Sequence, residues 1–170
     1  MFKTKQNLLN VSLLLAAIML LSACGGNMIK PIRKDVIGHA TVRNITIVTA
    51  GSVASTSISA KVKAAVKKEA LGELKGNMQV DLKVTIDKWQ GTENVIGGGV
   101  SSKLFGSKTY LNGVVDVLDT KTGEVIGKYT IYSEFKEGGL FGGKVTTVSF
   151  ANTDQTVIDN FAMYTINHLE

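Results

Sequence analysis

The segment Glu137–Val145, EGGLFGGKV, places Gly138, four intervening residues, Gly143 and Lys144 in the spacing of a phosphate-cradling loop. Such a loop needs a serine or threonine after the lysine to hold magnesium, and a helix whose amino end faces the phosphate. Here the next residue is Val145, and Val145–Phe150 is beta-branched text that forms helices poorly. The chemistry of a nucleotide site is therefore incomplete, and neither a nucleotide nor any other cofactor is expected. The two histidines, His39 and His168, have no cysteine or ligand-spaced carboxylate beside them, so no metal site is expected. Asp116 and Asp119 could reach each other near a turn, with Asp87 on another strand, but nothing marks a cleft between two acids. No serine-hydrolase elbow occurs. No catalytic residue is assigned, and the chain reads as a non-enzyme.

One residue does carry recognisable chemistry. Lys3 and Lys5 precede an apolar run, Leu8–Leu21, broken only by Asn10 and Ser12, which is the anatomy of a secretory signal peptide. It is shorter than the roughly 20 apolar residues a bilayer span needs. At its end stands Leu21-Ser22-Ala23-Cys24-Gly25, which resembles the lipobox of bacterial lipoproteins. That resemblance implies cleavage after residue 23, acylation of Cys24 through its thiol, and attachment to a membrane by palmitate-type chains. Gly25, in place of an aspartate, implies sorting to the outer membrane, on its periplasmic face. Cys24 is the sole cysteine, so none is left for a disulfide, a metal or a thiol nucleophile.

Lys3 and Lys5 account for two of the five net positive charges, which leaves +3 on the mature chain. That mild balance, with lysines on a solvated helix face and no interleaved aromatics, gives no reason to expect nucleic acid. Residues 24–35 read as a lipidated flexible tether with Lys30, Arg33 and Lys34 near anionic headgroups, and residues 36–170 as a single domain.

The domain alternates strand and helix patterns. His39–Thr49 is rich in beta-branched residues and ends near Gly51, predicting a strand. Small hydroxyl residues (Ser52, Ser55, Thr56, Ser57) could cap a helix in which Ile58, Val62, Ala65, Val66 and Ala70 recur on one side. Val80, Leu82, Val84 and Ile86 alternate with polar residues as one face of a strand. Leu111–Leu118 and Val125–Phe135 read as a hairpin joined by Asp119-Thr-Lys-Thr-Gly123, with Gly123 at positive φ. Val145–Phe150 could add an edge strand. Val157, Ile158, Phe161, Ala162, Tyr164 and Ile166 line a final helix that Asn152 or Thr153 could cap. The expected fold is α/β (α+β): a single sheet of four to five mostly antiparallel strands with two helices, in the order β-α-β-β-β-(β)-α.

This order, a long strand, glycine-rich loop, strand, D-x-x-T-G hairpin and second glycine-rich segment, resembles small bacterial lipoproteins of a domain-of-unknown-function group. It is also similar to the alpha/beta domain of the TolB amino-terminal part and of the curli-secretion lipoprotein. The resemblance implies a fold and an envelope location more than an activity.

Two segments repeat the pattern L-F-G-x-K: Lys103–Lys108 and Gly139–Lys144. If the hairpin strands pair as predicted, both flank one end of it. Leu104, Phe105, Leu140 and Phe141 then form either a small satellite core or an exposed tip, ringed by lysines, for a protein partner or a membrane surface. The expected function is a membrane-anchored cell-envelope lipoprotein acting as a binding or assembly module. The alternative is a self-associating structural subunit, a homo-oligomer in an envelope or secretion assembly.

Overall fold

The computed structural model describes residues 26–50, 56–91, 108–136 and 153–170. Strand β1 is Met28–Lys30, β2 is Ala40–Thr49, helix α1 is Thr56–Glu73, β3 is Met78–Gln90, β4 is Lys108–Asp119, β5 is Val125–Lys136 and α2 is Thr153–Asn167. The strands form one mixed sheet in the order β1-β5-β4-β3-β2. Only β2 and β3 are parallel, as a strand–helix–strand crossover through α1 requires; the other three pairings are antiparallel. This is the expected α+β class, with two helices and five strands among the described residues.

Alternation decides which face is covered. Val80, Leu82, Val84 and Ile86 of β3 are buried, as are Val115 and Val117 of β4 and Tyr129 and Ile131 of β5. The helices supply the other half of the core: Ile58, Val62, Ala65, Val66 and Ala70 from α1, and Val157, Ile158, Phe161, Ala162 and Ile166 from α2. Their 3.6-residue spacing puts each set on one side of its helix. The aromatic ring of Phe161 is seated by a gap in β4. A Cβ on Gly113 would lie 3.2 Å from Phe161 Cζ and 2.7 Å from the Thr85 carbonyl oxygen. Tyr129, fully buried, locks α2 to β5 by donating its hydroxyl proton to the Thr165 carbonyl at 2.7 Å. Burial holds that phenol well above its ordinary pKa.

The β4–β5 turn has the geometry its residues predict. Asp119 Oδ1 accepts from the amides of Lys121 (2.9 Å) and Thr122 (3.3 Å), and Gly123 takes φ 72°. Arg33 Nη1 donates to Asp119 Oδ2 at 3.2 Å. The Lys121 amide first, then the Thr122 amide and the Arg33 guanidinium, hold this carboxyl below the usual carboxylate range. A carboxyl whose folded pKa is depressed stabilises the fold above its unfolded value, about 3.9, and loses that contribution as pH falls through the folded value. Asp119→Ala should therefore denature at lower urea than the parent at pH 7, and the gap should shrink progressively below about pH 4. Urea midpoints at a series of pH values check this, and a gap independent of pH would show that the turn, without the charge, is what Asp119 supplies.

One expectation is corrected, and one falls elsewhere: among the described residues the fifth strand is β1 at the amino-terminal side, and Val145–Phe150, the expected edge strand, lies outside the described residues. The stretch expected as a flexible tether, residues 24–35, is fixed to the sheet in its described part. Met28 and Lys30 pair with Tyr129 and Lys128, and Ile32 is buried against Gly127, where a Cβ would come within 2.6 Å of Ile32 Cγ1. The apolar side chains of Ile32 and Val36 have more to gain from burial than the glycines and lysines around them gain from freedom.

Candidate functional site

Cys24, Leu104, Phe105, Leu140 and Phe141, the residues singled out in the sequence, all lie outside the described residues, as do Lys103 and Lys144. What the sheet does fix is where their segments start and stop. In β4 and β5 the register runs from Leu118↔Val125 beside the turn to Lys108↔Lys136 at the far end. In β3 and β4 it ends with Gln90↔Tyr110. The chain thus enters or leaves both L-F-G segments at one end of the sheet, opposite the Asp119–Gly123 turn. The first residues of α2 belong to the same end, because Gly91 sits against Trp89 and the Asp154 carboxylate.

Beneath this end the helix-bearing face is polar at three points. The hydroxyls of Thr109, Ser133 and Thr153 are buried and have no hydrogen-bond partner among the described residues. Of the two expected helix caps, Asn152 lies outside the described residues, and Thr153 opens α2 without capping it through its side chain. Trp89 packs partly buried against the core beside Leu111.

On the opposite face, register sets Lys128, Asp116 and Lys83 in one row across β5, β4 and β3. The Lys128 ammonium lies 3.0 Å from Asp116 Oδ1. Further along β5, Tyr132 donates to Glu134 Oε2 at 2.6 Å and its ring stands 6.4 Å from that of Tyr110. On β2 the register shifts at Arg43, and this bulged residue reaches Asp81 with two bonds, Nε–Oδ1 at 3.1 Å and Nη2–Oδ2 at 2.6 Å. Asp116 and Asp119, which the sequence left free to meet, are opposite Lys83 and Val80 respectively and so lie on different faces. One pairs with a lysine and the other closes a turn. These acids do structural work and form no acid–base couple.

The two histidines stand in different surroundings. His168 stacks on Tyr129, with centroids 4.3 Å apart and planes 3° from parallel, and its Nδ1 is 2.8 Å from the Tyr164 carbonyl oxygen. His39 is exposed, and its backbone carbonyl accepts from the Met78 amide at 2.8 Å. Among the described residues no group of three or more metal-ligating side chains comes together, and no helix is long and apolar enough to cross a membrane.

No family model matches this chain, and no curated protein does. A solved structure does share its architecture. A Xanthomonas campestris protein assigned to the family DUF330 superposes with a TM-score of 0.51 at 7% identity, over 83% of this chain and 90% of that one. The fold is shared with that protein. Weaker likenesses include a PelC dodecamer from Paraburkholderia phytofirmans, with TM-score 0.48, 11% identity and coverage of 85% and 96% of the two chains. Another is a minor lipoprotein from Acinetobacter baumannii, with TM-score 0.38, 12% identity and coverage of 75% and 90%. At such identities the Xanthomonas likeness speaks for the fold alone.

Sequence reasoning missed the amino-terminal clasp around Gly26, His168 and Tyr129. Its signal was present: Ile29, Ile32, Val36 and Ile37 are too apolar for a solvated linker.

Proposed function

We propose that this chain is a non-enzymatic cell-envelope lipoprotein, held in the outer membrane by acyl chains on Cys24, which binds a protein partner through the loop end of its sheet. The observation that carries the reading is the common departure point of the two L-F-G segments, set by Lys108↔Lys136 and Gln90↔Tyr110. A repeated apolar sequence delivered twice to one end of a rigid sheet suits a contact surface. Leu104, Phe105, Leu140 and Phe141 are the contact residues in this reading. The signal anatomy of residues 1–23 and the small residues before Cys24 support the anchor, and Gly25 supports the outer membrane.

The double change Phe105→Ser with Phe141→Ser tests the contact. Surface substitutions shift stability within about 0.5 kcal/mol, whereas truncating a core phenylalanine costs about 3–5 kcal/mol. The doubly changed protein should melt like the parent and lose the partner that cross-linking captures in native membranes. A much lower melting temperature would assign both rings to a satellite core, and retention of every cross-link would remove the contact role.

A second reading, self-association, is favoured by β2. It ends the sheet order, so among the described residues its outer edge, ten residues long, faces no further strand. Open edges of this kind accept another chain unless they are blunted, and the Arg43 bulge blunts this one only locally. The mass of the detergent-solubilised mature protein separates the two readings: a stable ring or filament supports the second, a monomer the first.

A further inference from the structure

Six large apolar side chains are exposed among the described residues, and two of them, Met28 (47%) and Ile29 (55%), are consecutive in β1, the edge strand on the amino-terminal side of the sheet. The other four, Ile37, Val48, Leu71 and Tyr132, are scattered over the β1–β2 connection, β2, α1 and β5. What distinguishes the edge is its place in the chain. From Lys30 back to Gly26 the backbone runs along β5 away from the turn. Asn27 N donates to Thr130 Oγ1 at 3.0 Å, and Thr130 N donates to the Asn27 carbonyl at 2.9 Å. Gly26 is wedged behind this pair: a Cβ there would lie 2.5 Å from the Thr130 carbonyl oxygen and 3.1 Å from the His168 ring. His168 cannot readily give way, since it is stacked on buried Tyr129 and held at the Tyr164 carbonyl. The chain is therefore rigidly seated as far as Gly26, and Cys24 is only two residues upstream.

We propose that the β1 edge is a lipid-facing surface, with Met28 and Ile29 entering the boundary between headgroups and acyl chains of the anchoring membrane. The proposal rests on acylation of Cys24. Two extended residues span at most about 7 Å, so an acylated Cys24 brings β1 to within that distance of the bilayer surface. There is no tether to let the domain float free. Contact then becomes an intramolecular event at high effective concentration, which a small apolar patch suffices to exploit. The nearby cations are largely engaged: Arg33 bonds Asp35 and Asp119, and the Lys30 ammonium bonds the Val125 carbonyl, 4.0 Å from Glu124. The patch is thus fitted to apolar insertion, and it should work on a zwitterionic surface.

The acylated mature protein, reconstituted into phosphatidylcholine vesicles, has no free thiol, so Met28→Cys, Ile29→Cys and Leu71→Cys each accept a single fluorescent label. Leu71, 68% exposed on α1, is the aqueous reference. Labels at positions 28 and 29 should be quenched by bromine-substituted lipid and shielded from iodide, and the label at 71 should show the reverse. If protein that floats with the vesicles is quenched by iodide at 28 and 29 as strongly as at 71, the lipid-facing edge is refuted and the anchor stands. Shielding from iodide without quenching by lipid would assign the edge to a second copy of the chain and also refute it. Protein that fails to float and shows a reactive thiol at Cys24 would remove the lipoprotein reading, and this inference with it.

Discussion

Phe161→Ala should destabilise the domain by about 3–5 kcal/mol, a large share of the roughly 5–15 kcal/mol that ordinary domains possess. Phe161 has no exposed surface, and its ring fills the space that Gly113 leaves open in β4. No neighbour can collapse into the vacancy cheaply, because the floor beneath it is sheet backbone paired on both sides, to Ile86 and to Ile131. The rigid floor places the cost toward the upper part of that range, since unrelaxed cavities are the expensive ones. Gly113→Ala attacks the same contact from below. Its new methyl would press on the Thr85 carbonyl oxygen at 2.7 Å, a backbone atom that cannot swing away, so overpacking of about 1–3 kcal/mol is expected. Urea denaturation measures both. A loss under 1 kcal/mol for Phe161→Ala would mean that α2 can re-seat on the sheet, contrary to the Tyr129–Thr165 bond that holds it in place.

The pairing of Phe161 with Gly113 also shows what could be read before the fold was known. The periodicity of α2 placed Phe161 in the core, and the alternation in Leu111–Leu118 made a strand, because both signals depend on neighbours three or four residues away and two residues away respectively. That this ring would need a glycine 48 positions earlier is a tertiary fit with no local trace. The same division explains β1. A three-residue strand carries too little alternation to announce itself, and its partner, Tyr129, is about a hundred residues downstream. Apolar content in residues 29–37 was the available clue, and the lysines and glycines around it masked the pattern. The Asp119–Gly123 turn, by contrast, was fully legible, since an aspartate that folds onto its own turn and a glycine at positive φ are local requirements.

For the candidate site, the sequence named residues and the sheet supplies direction. The echo of L-F-G-x-K is visible only as text, while the statement that both copies depart from one end needs the β4–β5 register. The two ends of the sheet also differ in character. The turn end is closed by ion pairs of Arg33 with Asp35 and Asp119, and the other end carries three buried hydroxyls with no partner among the described residues and the exits of both glycine-rich connections. Recognition through backbone-rich loops on a rigid frame is the usual division of labour in such domains.

Cys24→Ser should abolish acylation and signal cleavage together, leaving a precursor that keeps residues 1–23 and takes up no labelled palmitate. The thiolate is the nucleophile in thioether formation, and a serine hydroxyl is scarcely ionised at neutral pH, so the substitution removes the reaction and leaves the size of the side chain nearly unchanged. Acylation contributes about 0.8 kcal/mol for each buried methylene, and one chain alone binds only marginally, so stable anchoring needs a second signal. The geometry at Gly26 sharpens the expectation. Because the clasp formed by Thr130 and His168 admits no side chain at that position, the segment enters the sheet in a single way, whether or not the signal has been removed. The precursor should therefore keep a folded domain with the parent's resistance to protease, while its association with membranes becomes extractable. Palmitate incorporation, size on a denaturing gel and limited proteolysis read the three consequences separately. A Cys24→Ser protein that is cleaved to the parent's size and still carries labelled palmitate would end the assignment of Cys24 as the anchor, and with it the reason to set β1 against a bilayer.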